Sequence, residues 1–445
     1  MPDPITKGPI PAIPGAIPPG VPATAGRHRW YALALLTLTS TFSVADRLVF
    51  GILVEDIKLE FGLSDLQLGL LGGAAFSIVY VIAGFPAARL ADRSVRKNIV
   101  AVAIASWSVM TAVCGLATGF WTLFLARVGV GVGEGCSGPA SQSLVADYFR
   151  RNELAQAMGF LTVGAAMGTA SGLIVGGQLA EAFGWRWAFV LMGLPGILIG
   201  ALLYLTVREP RRGQYAARGA RIEQQPLGET VRELLGNRVF MGLAIGWSAQ
   251  ILIGYALAFW MASIMLRQFD ISTGNVGLYL GLAFFIGGIP GPLLGGYLTG
   301  WLTTRDERWR AWIPGLACIG SIAPLAISLT SDGLWAFLAW FGLAYAIFVA
   351  SQAGILSGIQ AAVDPSQRGF AVAIALFFNN LVGQALGLAV IGGVSDWLTP
   401  TQGEYSLSIA VFGVCVVSAV MAMAIFAWTA VQMKSTDYLE RLNAE

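Results

Sequence analysis

The chain has 445 residues, of which 56% are hydrophobic and only 12% are charged. A soluble domain usually carries about 25% charged residues, so this composition excludes an ordinary water-soluble protein. Long apolar runs recur along nearly the whole chain, which is typical of a helical protein that crosses a membrane many times. The single histidine, His28, excludes a metal site built from several histidines. The four cysteines lie in apolar segments without paired spacing, so we expect no metal site and no disulfide.

The first predicted span is preceded by an N-terminal tail. Residues 1–29 are rich in Pro, Gly and Ala and lack the apolar core of a signal peptide, so we expect a disordered cytoplasmic segment. A helix needs about 20 apolar residues to cross a bilayer. That length predicts twelve spans, at residues 30–54, 66–90, 98–118, 121–146, 155–180, 186–207, 239–266, 274–302, 312–330, 334–359, 369–395 and 406–431.

Lysine and arginine are divided unequally between the two ends of the spans. Loops on the side of the termini hold 22 of the 27, whereas only Lys58, Arg186 and Arg267 fall on the opposite side. Under the positive-inside rule both termini are cytoplasmic. We therefore expect an integral, multi-pass protein, in a bacterial inner membrane. The remaining two arginines, Arg47 and Arg127, fall within spans.

The longest internal polar stretch divides the chain six spans plus six. We predict one helical bundle at 30–207, a basic cytoplasmic linker at 208–238, a second bundle at 239–431 and a cytoplasmic tail at 432–445. At a constant offset of 208 residues, span two matches span eight at several positions, among them Gly73 with Gly281 and Phe76 with Phe284. The match suggests two parallel repeats with a substrate cavity between them near the midplane.

Four charged residues inside the spans are the main candidates for function, because intramembrane charges are costly and usually mark a pathway or relay. Asp46 and Arg47 are adjacent in span one and point about 100° apart, so each needs a partner on another helix. Arg127 and Glu134 are seven residues apart in span four, on one helix face and about 10 Å apart along the axis. Their depths interleave, which predicts the pairs Asp46–Arg127 and Arg47–Glu134 in a group of zero net charge.

This central charge group has a structural and a functional interpretation. Salt bridges could simply tie spans one and four together. The second half, however, has Trp340 and Ile347 at roughly the corresponding positions of span ten, so packing alone does not require charges there. Burial favours a neutral acid whereas neighbouring arginines favour a carboxylate, and proton entry could free an arginine. We rank the two acids as proton acceptors and the two arginines as anion ligands or gating partners.

Other residues of the spans are weaker candidates for the cavity wall. Span eleven places Asn379, Asn380 and Gln384 in mid-membrane, where unpaired amides are costly. A polar cavity wall and interhelical hydrogen bonding explain these amides equally well. Five aromatic residues could line an apolar cavity: Phe76, Tyr80, Tyr255, Trp260 and Tyr345. Packing or lipid contact also explains each of the five taken alone.

The loop after span two resembles a known motif. LADRSVRK, residues 90–97, is similar to the cytoplasmic D-R-x-G-R-[RK] loop of the major facilitator superfamily, although Val95 stands where that pattern has Gly. The resemblance implies a cytoplasmic latch formed by Asp92, Arg93 and Arg96. It also implies an all-α membrane fold, in which two six-helix bundles rock around a central site.

Span five carries a stripe of glycines that is also informative. Gly164, Gly168, Gly172 and Gly176 are each four residues apart, so they share one helix face and let another backbone approach closely. Packing explains this stripe better than a role in antiport. In the superfamily span five meets span eight, and Gly287, Gly291 and Gly295 of span eight could supply the complementary groove.

Within the superfamily the chain resembles the spinster-type lipid transporters in particular. The similar segments are ADR in span one, SDLQLGLLGGAAFSIVY in span two and ARVGVGVGEGCSGPASQSLVADYF through span four. This resemblance implies an amphipathic substrate with an anionic or zwitterionic head, such as a lysophospholipid or a sphingoid phosphate, moved by alternating access. No P-loop sequence occurs, so we do not expect ATP to drive transport within this chain. We expect no cofactor and a proton gradient as the driving force.

Two other substrate classes remain open. A small polar organic anion would also suit two buried arginines, and a multidrug exporter is a further alternative. An enzyme would need a nucleophile with a base, or a metal cluster, and neither occurs in the sequence. A non-transporting receptor would not need the intramembrane acids. We expect a monomer in contact with membrane lipids and small-molecule substrate, and no nucleic-acid partner.

Overall fold

The computed structural model describes residues 26–213, 215, 227–364 and 367–434. Within these ranges the chain is helical nearly throughout, and no strand occurs in them. Most of the predicted tails, at 1–29 and 432–445, and part of the predicted linker lie outside the described residues. For those segments the sequence-based expectations stay predictions.

The first half contains six spans. Its helices are interrupted at Leu53, after span one, and at Gly73, inside span two. Its bounds are Arg27–Ile52 for span one, a short helix Val54–Phe61, Asp65–Gly72 and Ala74–Arg93 for span two, Arg96–Cys114 for span three, Phe120–Tyr148 for span four, Arg151–Phe183 for span five and Trp185–Thr206 for span six.

The second half contains six more spans. Pro290 begins the inner helix of span eight, where its missing N–H is not needed. The bounds are Arg238–Gln268 for span seven, Thr273–Gly288 and Pro290–Thr303 for span eight, Trp309–Leu329 for span nine, Leu334–Ala350 and Gln352–Ala361 for span ten, Arg368–Phe378, Asn379–Leu386 and Gly387–Gln402 for span eleven, and Ser406–Gln432 for span twelve.

Length and hydropathy identify eleven of the twelve predicted crossings in the described residues. Ten helical stretches are long and apolar enough to span a membrane. One of them, Arg368–Gln432, is 65 residues long and contains spans eleven and twelve, which the turn Gly403–Tyr405 separates. Span four is not among the ten but is 29 residues long. The all-α membrane fold predicted from the sequence is confirmed.

Two boundaries differ from the prediction. The predicted linker contains an amphipathic helix, Leu227–Gly236, whose Leu234 is 1% exposed, so this part is packed rather than fully solvated. Span eleven continues to Gln402, beyond the predicted end at residue 395, with Pro400 inside its last turn. Its middle part, Asn379–Leu386, is π-helical, a form that is rare and frequent at functional sites.

The glycine stripe of span five packs on span one, not on span eight as expected. A Cβ added at Gly168 would lie 2.4 Å from the carbonyl oxygen of Thr41, and one at Gly172 would lie 2.6 Å from that of Ala45. Backbone therefore touches backbone at the turn of span one that precedes Asp46. The expected groove on span eight also has another partner, because Gly287, Gly291 and Gly295 face the backbone of span ten.

The two halves meet mainly through three helix pairs: spans one and seven, two and eleven, and five and eight. We call the end where span one begins the cytoplasmic end, following the predicted sidedness, and the opposite end the outer end. Close contacts join the halves toward the outer end. A Cβ at Gly69 would lie 2.3 Å from the oxygen of Leu388, and one at Gly177 would lie 2.8 Å from that of Thr273.

Candidate functional site

Three helices of the first half bring the central charge group together. Spans two and four approach backbone to backbone, because a Cβ at Gly131 would lie 2.5 Å from the oxygen of Phe76 and one at Gly135 would lie 2.3 Å from that of Tyr80. Span one lies against span five through the glycine stripe described above. These contacts fix the heights at which the charged side chains of spans one and four face each other.

Arg47 and Glu134 form the ion pair that the sequence predicted. Arg47 donates to Oε2 of Glu134 from Nη2 at 2.6 Å and from Nε at 2.9 Å. Ser43, one turn earlier on span one, donates to the same oxygen at 2.7 Å. The Glu134 side chain is 0% exposed, whereas that of Arg47 is 21% exposed. Among the described residues Oε1 of Glu134 has no hydrogen-bond partner, which leaves a lone pair available for a proton.

The predicted pair of Asp46 with Arg127 is wrong. No basic nitrogen of the described residues lies within the 4.0 Å of a salt bridge from the Asp46 carboxylate. Instead, Oδ2 of Asp46 accepts a hydrogen bond from Thr111 of span three at 3.1 Å, and Oδ1 has no partner in the part of the chain described. Asp46 is 1% exposed. The donors close to this buried carboxylate, Thr111 and the indole of Trp107, are both neutral. Such a carboxylate is costly to keep ionised.

Arg127 is held by aromatic rings instead of a carboxylate. Its Cζ lies 4.7 Å from the ring centroid of Phe50 and 5.3 Å from that of Phe76. Among the described residues it makes one hydrogen bond, from Nε to the carbonyl oxygen of Leu71, at a long 3.5 Å. Arg127 is 2% exposed. Ring faces attract guanidinium groups, most strongly where water is excluded, and this competing contact explains why the expected pair does not form.

The aromatic candidates occupy different environments. Tyr80 and Tyr255 are half-buried, and both lie near the Arg47 guanidinium, which stands 5.0 Å from the Tyr80 ring centroid. Tyr345 packs on Phe284, with centroids 4.6 Å apart. Two of the five do not line a cavity in this conformation: Phe76 and Trp260 are 0% exposed, because neighbouring helices enclose both rings.

Two of the three amides of span eleven make hydrogen bonds to other helices, which for these two supports interhelical bonding more than a cavity wall. Asn379 accepts from Ser248 of span seven at 3.1 Å. Asn380 donates to its own helix, to the oxygen of Leu376 at 2.8 Å. Gln384 donates across the halves to the oxygen of Gly72, where span two breaks, at 3.4 Å. All three amides are buried.

Of the three predicted latch residues, Arg96 has ion-pair partners in the described part of the chain. Arg96 is 2% exposed and binds Asp147 at 2.5 Å and Glu209 at 2.7 Å, both in the first half or at its exit. Arg93 ends span two on the surface. The side chain of Asp92 lies outside the described residues. The latch stays a prediction, and Arg96 in this conformation joins the cytoplasmic ends of spans three, four and six.

A second charge cluster, missed by the sequence analysis, joins the halves at the outer end. This outer ion-pair cluster consists of Glu55, Lys58, Asp65 and Arg267. Arg267 of span seven binds Glu55 at 2.6 Å and Asp65 at 2.7 Å, and Lys58 binds Asp65 at 2.5 Å. A signal was present in the sequence, because two of only three outer cations lie here.

The third outer cation is also paired, but within the first half. Arg186 binds Glu60 at 2.5 Å, and Trp185 donates to the same carboxylate at 2.6 Å. These two hydrogen bonds lower the pKa of Glu60, and the bond from Arg186 has the larger effect. A cavity of about 500 Å³ opens beside Arg186 between spans three and six, and its lining is almost wholly apolar. It lies apart from the central charge group.

A sequence model described as Major Facilitator Superfamily matches residues 35–388. The chain belongs to the major facilitator superfamily. It is accordingly an integral, multi-pass membrane transporter, and the superfamily resemblance noted in its motifs is confirmed.

Relatives within the superfamily sharpen this assignment. The chain is 32% identical to an MFS-type efflux pump of Mycolicibacterium smegmatis over 84% of this chain and 86% of that protein. It is 25% identical to the sphingosine-1-phosphate transporter of Mus musculus over 82% of this chain and 69% of that one. A solved bacterial homolog of the human lysosomal transporter spinster, inward-facing and unoccupied, has a TM-score of 0.84 at 26% identity and covers 94% of this chain and 99% of its own. The predicted similarity to spinster-type transporters is confirmed.

Proposed function

We propose that this chain transports an amphipathic lipid with an anionic or zwitterionic head, such as a lysophospholipid or a sphingoid phosphate, and that proton movement drives the transport. The observation that carries the proposal is the Arg47–Glu134 pair. Its acid is fully buried with one free carboxylate oxygen, while its base is partly exposed. Glu134 therefore provides a proton site and Arg47 an anion site, and the two are bound to each other.

The exchange between proton and substrate follows from that bond. While Glu134 is ionised, its Oε2 takes two hydrogen bonds from Arg47 and neutralises it. A proton on Glu134 removes the charge, so the guanidinium becomes free to bind a phosphate or carboxylate of the substrate. Loss of the proton restores the internal pair and expels the anion. Asp46, which adjoins Arg47 on span one, has no ion partner among the described residues and is a second proton site.

The lipid part of the proposal rests on similarity and on aromatic surface. A relative of this chain is named for sphingosine-1-phosphate transport, and a structural neighbour is a spinster homolog. Tyr80 and Tyr255 stand near Arg47 from the two halves and could contact the apolar part that adjoins a head group. We further propose a bacterial inner membrane as the location, with both termini in the cytoplasm.

The proposal is tested with purified protein in proteoliposomes. Lysophospholipids, a sphingoid phosphate and small organic anions such as sugar acids are offered with and without a pH gradient. We expect accumulation of a lysolipid that depends on the gradient and is lost when a protonophore is added. Accumulation of a sugar acid alone would contradict the lipid assignment, and accumulation that ignores the protonophore would contradict proton coupling.

A second candidate function has support of its own. The M. smegmatis relative, at 32% identity, is named as an MFS-type efflux pump. On that alternative the substrate is a drug-like compound that leaves the cell in exchange for protons. Efflux of a fluorescent cationic dye from loaded cells, compared between wild type and an empty vector, distinguishes the two, because a phosphate-binding site should not favour a cation.

A further inference from the structure

One aromatic ring contacts both arginines of the central charge group. The Phe76 centroid lies 4.6 Å from Cζ of Arg47 and 5.3 Å from Cζ of Arg127. Tyr80 stacks on Phe76 with centroids 5.5 Å apart and also faces Arg47. Phe76 is 0% exposed, so both cation–π contacts are dry, and such contacts are strongest when desolvated.

The backbone holds this ring in place. Phe76 lies about one turn after Gly73, where span two is interrupted. Its carbonyl oxygen would be only 2.5 Å from a Cβ added at Gly131 of span four. The helices therefore meet at van der Waals distance on that side. The Phe76 ring consequently has little freedom to leave the space between the two guanidinium groups.

We propose that Phe76 is a positioning residue that holds Arg127 away from Asp46, so that Asp46 remains free to take up a proton; the proposal rests on the proton coupling proposed above. Arg127 has two ring faces and one long hydrogen bond but no carboxylate within 4.0 Å among the described residues. The carboxylates whose charges reach this cation are those of Glu134 and Asp46. Glu134 is already paired with Arg47, so without the Phe76 ring the unpaired carboxylate that can compensate Arg127 is that of Asp46.

Few ionisable groups face Asp46. Those of the described residues are Arg127 and Glu134 of span four and the thiol of Cys114 of span three. Span five presents glycine there, and Thr111 supplies a neutral donor. Arg47, on the same helix, is bound to Glu134. The position of Arg127 is therefore the main variable that decides whether Asp46 keeps its charge.

The experiment follows the protonation of Asp46 directly. Infrared difference spectroscopy on reconstituted protein detects the C=O stretch of a protonated carboxyl group, and Asp46→Asn assigns the band. In Phe76→Leu, which removes the ring with little loss of volume, Arg127 can move to Asp46. We expect the pH at which half of the Asp46 groups are protonated, read from this band, to fall by about one unit or more. Half-protonation would then need a proton concentration about ten times higher. Phe76→Met is the second variant should Phe76→Leu be poorly folded.

Two matched variants separate positioning from packing. Phe76→Tyr keeps the ring and should restore the wild-type midpoint. Phe284→Leu removes the repeat-related phenylalanine of span eight, which is 3% exposed and packs on Phe341 and Tyr345 without a guanidinium partner in the described structure. We expect it to lower the melting temperature but leave the Asp46 midpoint unchanged.

The outcomes are independent of the substrate. A midpoint in Phe76→Leu and Phe76→Met that equals the wild-type midpoint overturns the proposal, as does an equal shift in Phe284→Leu. Because the infrared signal needs no ligand, failure of lysolipid transport would count against the proposed substrate alone. If lysolipid transport fails, a shift of the Asp46 midpoint that occurs only in variants without the Phe76 ring would still support the positioning role.

Discussion

The Arg267 guanidinium donates to Asp65 at 2.7 and 3.0 Å and thereby joins span seven of the second half to the start of span two in the first. The same guanidinium donates to Glu55 at 2.6 and 2.9 Å. Asp65 is 1% exposed and also accepts from Lys58 and from Ser395 of span eleven. Because the bonds from Arg267 and Ser395 join the second half to the first, they exist only while the outer ends are together.

Loss of Arg267 should therefore favour opening of the outer end. Arg267→Gln removes two charge pairs from the closed arrangement, while Lys58 still neutralises Asp65. Breaking a buried pair costs about 3–5 kcal/mol, and about 3 kcal/mol would change the ratio of closed to open molecules roughly a hundredfold. Pulsed electron paramagnetic resonance between spin labels at Leu59 and Trp397, both exposed at the outer end, should show a longer distance.

Arg186→Gln is the matched control for this change. Arg186 is also an outer cation in an ion pair, but its partner Glu60 lies in the same half. We expect the distance distribution of the label pair to remain that of the wild type. A distribution unchanged in Arg267→Gln as well would show that the outer ion-pair cluster does not hold the halves together.

The two buried arginines should differ in their effect on stability. Arg47→Ala leaves the fully buried Glu134 with Ser43 as its remaining donor, and we expect a loss of about 3–5 kcal/mol. Arg127→Ala separates no ion pair and removes contacts with two rings, so we expect a loss of about 1–2 kcal/mol. Thermal unfolding in detergent measures both.

A double variant checks the physical reason for that difference. Adding Glu134→Gln to Arg47→Ala removes the stranded charge, so the double variant should be more stable than Arg47→Ala alone. Equal melting temperatures for Arg47→Ala and Arg127→Ala would contradict the assignment of Glu134 to Arg47.

The comparison of these residues shows what the sequence could and could not predict. Heptad spacing and depth predicted that Arg47 would meet Glu134, because both depend on helix rise alone. The environment of Arg127 depends on how span four is rotated and on the rings of Phe50 and Phe76, which spacing does not reveal. The same limit applies to the outer ion-pair cluster, since Arg267 and Asp65 are far apart in sequence and meet only when the halves dock.

Helix packing was likewise predictable from the sequence only in part. The glycine spacing in span five predicted a close helix contact, and such a contact exists, but the partner is span one. Four-residue spacing fixes a face and not the neighbour that the face meets. The π-helical middle of span eleven was also beyond sequence reasoning, because NNLVGQAL has no feature that distinguishes it from an α-helix.

The contact of span five with span one gives a further prediction. A Cβ at Gly172 would lie 2.6 Å from the oxygen of Ala45, next to Asp46, whereas one at Gly159 of the same helix would meet nothing within 4 Å. Gly172→Ala should therefore destabilise the protein by about 1–3 kcal/mol. Gly159→Ala should stabilise it by up to about 1 kcal/mol, because alanine is the better helix former. Equal melting temperatures for the two variants would contradict this packing.

The sidedness of the membrane can be checked without a substrate. The imbalance of lysine and arginine predicts that a reporter fused after Asn443 lies in the cytoplasm. A reporter inserted near Gly403, in the turn between spans eleven and twelve, should lie outside. Alkaline phosphatase and green fluorescent protein fusions report opposite sides, so the reverse pattern would overturn the predicted orientation and exchange the cytoplasmic and outer ends of the molecule.

Glu134→Gln tests the coupling mechanism most directly, because the amide keeps the shape of the side chain and mimics the protonated acid. Arg47 then lacks its counter-charge at every pH, so the anion site should stay available while proton release is abolished. We expect substrate binding and exchange to persist and accumulation driven by a pH gradient to disappear. If Glu134 only supports packing, the melting temperature should fall while the pH dependence of residual transport stays the same. Gradient-driven accumulation that survives in this variant would exclude Glu134 as the coupling acid and leave Asp46 as the intramembrane candidate.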